Sequence, residues 1–182
     1  MKKKGRKMPK RPGIGIGVLL VRDGTILLST RLKKYGKDKL ALPGGHVEWM
    51  ETFKDTAVRE VLEETGIKLN IKRVYNLYVY SEEIHPKLGK HYATFYLIAK
   101  CPKGQEPKDM EPQKHGPWGW YDPFDLPSNA WEPTKRLCST TANTLIRAFI
   151  TRGTTKRKRR EPKLVNDIET RLFLYNKESS GR

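Results

Sequence analysis

The stretch Gly45-His46-Val47-Glu48-Trp49-Met50-Glu51, continued through Arg59-Glu60-Val61-Leu62-Glu63-Glu64-Thr65-Gly66-Ile67, decides how the rest of the chain is read. A glycine pair after Leu42-Pro43 leads into a helical pattern that carries three closely spaced glutamates before Gly66 ends it. Thr52 with Asp55 in the third position beyond it has the form of a capping box, so the helix is predicted to begin at about Glu51 or Thr52. Gly66 supplies the C-terminal stop. At about 100° per residue, Ala57, Val58, Val61 and Leu62 share one side while Glu60, Glu63 and Glu64 occupy the adjoining side. The expectation is an apolar face in the core with a carboxylate ridge at its rim.

Carboxylates three and four apart on a helix repel by a few tenths of a kcal/mol per pair, and by more where water is scarce. Something positive therefore belongs among them. Mg2+ is the leading candidate, as a hard cation that takes carboxylate oxygens, keeps several waters and bridges to phosphates. The backbone carbonyl of Gly45 could add another oxygen. An ordinary solvated acidic face fits the composition equally well, so the residue types alone leave both readings open.

Working outward, residues 13–21 read as a strand entering the core, with Gly15 and Gly17 giving one face two positions without side chains. That face suits either a flat ligand edge or a bulky neighbouring strand. Arg22-Asp23-Gly24 is a hairpin turn and residues 25–29 its partner strand. Residues 30–39 form a basic exposed loop whose Arg31, Lys33, Lys34, Lys37 and Lys39 reach substrate phosphates only if the loop folds over the site. Beyond the helix, residues 71–80 and 92–99 are strands joined by a surface connection over 81–90. The alternation of Tyr92, Thr94 and Tyr96 makes one side of the second strand a semi-polar wall. Residues 101–117 read as a long loop, 118–121 as a short aromatic strand whose tryptophans pack in the core or at a sheet edge, and 134–150 as one helix with Leu137, Thr141, Leu145 and Phe149 on a face. Leu164, Ile168 and Leu172 predict a terminal helix over 163–176. Such a helix needs a surface to dock on, such as the body, a second copy of the chain in a homodimer, or another partner.

At 182 residues the chain fits one domain with appended tails. Its net charge of +17 is unevenly placed, with +7 in residues 1–11 and +6 in residues 152–160, leaving +4 for everything else. The expected organisation is a disordered basic tail over 1–12, a catalytic domain over 13–151, and a basic linker with the last helix over 152–182. Both tails are suited to attracting nucleic acid or another polyanion, or simply to solvating the ends. Two cysteines, Cys101 and Cys138, make neither a disulfide framework nor a metal cluster, and a reducing compartment follows as the default. No apolar run approaches the length of a membrane span. A cytoplasmic or nuclear setting is expected, with a mitochondrial one also open although the first residues lack serines and an amphipathic pattern.

Gly45, Glu51, Arg59, Glu60, Glu63, Glu64 and Gly66, with aliphatic residues at Val61 and Ile67, resemble the Nudix box at every fixed position. The likeness extends from Gly13 to about Cys138, through Leu42-Pro43-Gly44-Gly45-His46 and Trp118-Gly119-Trp120. It is greatest to the MutT-like branch and its nucleoside triphosphate diphosphatases. The resemblance implies an α/β (α+β) fold, a mixed sheet sandwiched between helices, here with an extra C-terminal helix. It implies Mg2+ or Mn2+ held by Glu60, Glu63, Glu64 and the Gly45 carbonyl, with Glu111 as a further ligand or base. Arg59 would pair with Glu51 or orient the carboxylates. One of Glu63, Glu60 or Glu111 would take the proton of the attacking water. Gly15, Gly17, His46, Tyr92, Thr94 and Gly116 would contact the nucleotide substrate, and a triphosphate would yield the monophosphate and pyrophosphate. Two other readings stand beside this one. The first is an RNA 5′-end pyrophosphohydrolase or decapping enzyme, motivated by the basic tails. The second is a non-catalytic nucleic-acid-binding module, against which the full set of box glutamates argues.

Overall fold

The computed structural model describes residues 11–139 and 142–151 of the chain. Most of the N-terminal basic tail, the basic run over 156–160 and the helix expected over 163–176 lie outside the described residues. Within them, the element order is β1 (Gly13–Arg22), β2 (Thr25–Arg31), β3 (Leu40–Ala41), β4 (Gly44–His46), α1 (Phe53–Thr65), β5 (Val74–His85), β6 (Lys90–Lys100), β7 (His115–Tyr121), α2 (Glu132–Ser139) and α3 (Ala142–Thr151).

β1 is the centre of a mixed sheet ordered β3-β2-β1-β6-β5, with β4 also paired to β1 and β7 to β2. Its run of aliphatic residues is buried on both faces, as a central strand requires. Ile16, Val18 and Leu20 pack with Ala57 and Val61 of α1, whereas Leu19 and Val21 pack with Leu137 and Cys138 of α2 and Ala142 and Ile146 of α3. Alternate side chains of one strand thus feed two cores, and the sheet lies between α1 and the α2–α3 pair. This is the sandwich that the resemblance implies.

The glycine row of β1 has a steric cause. β6 runs parallel to β1 with Gly13 opposite Tyr92, Gly15 opposite Thr94 and Gly17 opposite Tyr96. A Cβ at Gly13 would lie 2.8 Å from the Tyr92 ring and one at Gly17 3.0 Å from the Tyr96 ring. The rings lean across β1, so the bulky-neighbour reading of this face applies, and those rings become part of the cleft wall.

Two expected elements change. The surface connection over 81–90 is instead strand as far as His85, because Ser81 through His85 pair with Thr94 through Lys90. Only the 3-10 turn Pro86–Leu88 and Gly89 connect the two strands. The helix expected over 134–150 is described as α2 and α3 on either side of residues 140–141, with the Asn143 side chain donating to the Cys138 carbonyl at 2.8 Å. The residue most completely buried in α3 is Ile146, with Leu145 and Phe149 packed at the edge, while Thr141 lies outside the described residues. β7 starts at His115, three residues before the predicted aromatic strand, by pairing with Arg31 across a bulge in β2.

α1 begins and ends as its sequence predicts. Asp55 N–H donates to Thr52 Oγ1, the Thr52 N–H donates to the Asp55 carboxylate, and Gly66 closes the helix at φ 72°. Leu62 departs from the expected apolar face, being 39 % exposed. Because the reciprocal cap sets the entry of the helix that carries the acids, Thr52→Ala should lower the unfolding free energy by about 0.5–2 kcal/mol and Thr52→Gly by only a few tenths. Urea denaturation of the two variants beside wild type measures the difference.

Candidate metal and phosphate site

Arg59 organises the acidic cluster. Its Nε donates to Glu51 Oε1 at 2.7 Å and its Nη2 to Glu51 Oε2 at 3.0 Å, a two-pronged pair of fixed geometry. Nη1 reaches Glu60 at 2.8 Å and Glu63 at 3.2 Å, and Nη2 also donates to the His46 carbonyl at 3.0 Å. One guanidinium thereby ties the loop after β4 to three carboxylates. Glu51 receives further donors from Thr56 Oγ1 and the Glu48 N–H. The Arg59 hydrogen bond, together with these donors and the Arg59 charge, holds its carboxyl at a pKa of about 2.

Glu64 corrects the expectation of a uniform ridge at the rim. It is 4 % exposed, with Oε2 accepting from the Gly44 N–H at 2.9 Å and Oε1 in contact with His115 Nε2 at 2.8 Å. Glu60 is also largely buried and Glu63 is open to solvent. Burial pushes the Glu60 carboxyl pKa up against the opposing pull of Arg59, with Glu64 and Glu63 adding repulsion. Glu111 pairs with Lys114 and meets the group from the loop before β7, where donor atoms of Glu64, Glu111 and His115 all lie within 4.8 Å of one another.

These residues fit a divalent cation. Among the described residues, the ion pairs of five carboxylates (Glu51, Glu60, Glu63, Glu64 and Glu111) include only two permanent cations, Arg59 and Lys114. The backbone of Gly45 lies directly against Glu60, where a Cβ would come within 2.2 Å of Oε1. A side chain at position 45 would collide with the Glu60 carboxylate, so this close approach requires glycine. Hard oxygen donors with net negative charge are the set that Mg2+ or Mn2+ takes.

A cleft of about 450 Å³ runs from this cluster along the β1–β6 face. Gly15, Gly17, Gly45, His46, Arg59, Glu60, Glu63, Glu64, Tyr92 and Thr94 all line it, whereas Gly116 does not, its carbonyl accepting from Ser29 Oγ at 2.6 Å. The His46 ring sits 5.2 Å from that of Tyr92, and partial burial with Lys90 and Lys33 nearby lowers its pKa. Arg31 and Lys33 of the basic stretch line the cleft together with Lys114, whereas Lys34, Lys37 and Lys39 do not.

The far end was not anticipated. Tyr35 packs edge-on to Trp131 and His85, and its hydroxyl donates to Glu83 at 2.5 Å. Gly36 lies on the Trp131 ring, where any Cβ would collide at 1.9 Å, and Arg31 covers the ring at 5.1 Å. Tyr35 and Trp131 stand in segments that read as loop, and only the pairing of Leu40 with Ala130 and the Trp131 N–H bond to the Leu40 carbonyl bring them together. The single available signal was the isolated aromatic residue in each of two polar stretches.

A match to the NUDIX domain covers residues 11–139, most of the chain. The chain belongs to the NUDIX domain family. Across 128 residues it is 37 % identical to an ADP-ribose pyrophosphatase of Methanocaldococcus jannaschii, covering 68 % of this chain and 70 % of that protein. It is similar in structure to a MutT NUDIX hydrolase from Burkholderia pseudomallei, with a TM-score of 0.63 and 34 % identity over 69 % of this chain and 95 % of that one. An m7GpppN-mRNA hydrolase of Danio rerio is 32 % identical over 101 residues, which span 48 % of this chain and 32 % of that protein. The Nudix fold is therefore shown. Among the described residues no helix is long and apolar enough to cross a membrane.

The Glu51–Arg59 pair carries a pH signature. Because the Glu51 pKa falls from 4.5 to about 2 on folding, its stabilisation is fully present above the unfolded value and is lost as pH drops from about 4.5 towards 2. Urea midpoints across that window should fall in wild type, and Glu51→Gln should flatten this part of the profile.

Proposed function

We propose that the chain is a divalent-metal-dependent nucleoside triphosphate diphosphatase, releasing a nucleoside monophosphate and pyrophosphate. The carrying observation is the single cleft that joins the carboxylate cluster to basic and aromatic side chains. A linear polyanion with a flat base at one end matches that order of groups. Residues 13–151 would form the catalytic unit, and the basic segments 1–12 and 152–182 would lie outside it and attract polyanions. The relatives named as pyrophosphatases and as a MutT hydrolase support cleavage of a phosphoanhydride.

The protein's own groups divide the work. Arg31, Lys33 and Lys114 would draw the phosphates in and hold them, while Tyr92, Tyr35 and Trp131 would wall the nucleoside end. Gly45 through its carbonyl, with Glu60, Glu63, Glu64 and Glu111, would hold the cation, which supplies charge neutralisation at the phosphate oxygens and a more acidic water. Water adds to phosphorus, the phosphoanhydride bond breaks towards pyrophosphate, and the water's proton passes to one of Glu63, Glu60 or Glu111. Glu64 is the least suited to that last role, because both its oxygens already meet donors. Arg59 would hold Glu60 and Glu63 in place through one nitrogen that donates to both.

Glutamine substitution at Glu60, Glu63 and Glu111 separates base from ligand. The base should lose about 10²–10⁴-fold in kcat with saturating Mn2+, and Glu63→Gln with undiminished hydrolysis would sink the assigned mechanism. The substrate assignment is tested with ordinary and oxidised purine triphosphates, cytidine and methylcytidine triphosphates, dinucleoside polyphosphates and 5′-triphosphorylated or capped RNA, with pyrophosphate release as the readout. The basic tails favour RNA 5′-end hydrolysis as a second reading. Under it, removing residues 1–11 and 152–182 should depress turnover of RNA far more than that of the free triphosphate.

Gly45→Ala should lower kcat by about tenfold or more, because the new methyl displaces the Glu60 carboxylate by the margin of its collision. Circular dichroism checks that the fold is retained.

A further inference from the structure

We propose that His115 is a positioning residue for Glu64, fixing that carboxylate so that its unused lone pairs face the cation. The inference rests on the metal-dependent reading above. A carboxylate that ligates a cation accepts only, and in that role the 2.8 Å contact has His115 donating from Nε2 to Glu64. The Gly44 N–H donates to the other oxygen at 2.9 Å. Two donors on opposite oxygens fix the plane of the carboxylate, and an ionised carboxylate has about four acceptor positions, leaving about two for a cation.

The imidazole is itself held. It stacks on Trp118 at 5.5 Å and 28°, and the Trp118 Nε1–H donates to the main-chain carbonyl of Glu64 at 3.2 Å. β7 therefore grips Glu64 by its side chain through His115 and by its backbone through Trp118. The pairing of His115 with Arg31 across the β2 bulge sets where the ring begins. The His115 and Lys114 N–H groups both donate to the Glu111 carbonyl, so one tight turn carries the holder of Glu64 and the partner of Glu111. Arg59 performs this task for Glu60 and Glu63, and His115 for Glu64.

The test is a titration of Mn2+ into the full-length protein without nucleotide, followed by the electron paramagnetic resonance of free Mn2+. His115→Ala should raise the Kd for Mn2+ about 10–100-fold, whereas His115→Gln, which keeps an N–H donor at similar reach, should stay within about threefold of wild type. Urea midpoints identify any variant that is simply unfolded. Unchanged affinity in His115→Ala overturns the proposal, as does equal damage in the two variants. Spin-echo modulation from an imidazole nitrogen on bound Mn2+ also overturns it, by making His115 a ligand. Glu64→Gln is the reference, and unchanged Mn2+ affinity there overturns the metal reading together with this role. A wild-type protein that binds Mn2+ with the expected ordering of variants but cleaves no triphosphate overturns only the substrate assignment and supports the role of His115.

Discussion

The site depends on how one guanidinium is shared. Arg59 binds Glu51 with two prongs, reaches Glu60 and Glu63 with its remaining nitrogen, and takes the His46 carbonyl besides. Without a cation at this point, the glutamates on α1 would repel one another and Glu51 would be left with its bonds to Thr56 and Glu48. Like-charged side chains are commonly spread apart by selection, yet here they are gathered and only partly neutralised. The excess charge leaves the cluster complementary to a doubly charged ion, and this complementarity is the basis of the chemistry proposed for the cleft.

The sheet does the remaining positioning. The Gly44–His46 strand pairs antiparallel with Gly15–Gly17 while Thr94 lies on the other side of β1, so the glycine loop, the central strand and the cleft wall share one hydrogen-bonded frame. Gly44 stands at φ 150° with the Ile16 carbonyl 2.0 Å from where its Cβ would be, a close approach that only glycine permits. That approach turns the Gly44 N–H towards Glu64. A backbone constraint in the sheet is thereby converted into the orientation of a carboxylate on a helix.

Much of this was legible in the sequence because it is local. The capping box at Thr52 and Asp55, the stop at Gly66, the buried β1 run and the spacing of the glutamates each follow from residues within a few turns or strand positions of one another. The burial of Glu64 was not legible, since it depends on Gly44 across the sheet and on His115 far along the chain. The extension of β5 through Ser81-Glu82-Glu83 was missed for a related reason. Polar residues next to a proline read as loop, whereas the backbone pairing with β6 and the edge position make strand the lower-energy choice. Tyr35, Glu83 and Trp131 come from three separate segments, and no periodicity links them. The pairing of Leu40 with Ala130 brings Trp131 beside Tyr35, and the Tyr35 hydroxyl reaches Glu83 on β5.

The Tyr35–Gly36–Trp131 contact has a consequence for how such a protein changes over generations. The Tyr35–Gly36–Trp131 part of the cleft hangs on loop residues and one ring, whereas Glu60, Glu63 and Glu64 at the acidic end are carried by α1. Under the proposed function, substitutions in the loop would retune which molecule is admitted while the carboxylates on α1 keep their places. A lineage built this way is free to acquire new preferences without passing through an inert ancestor.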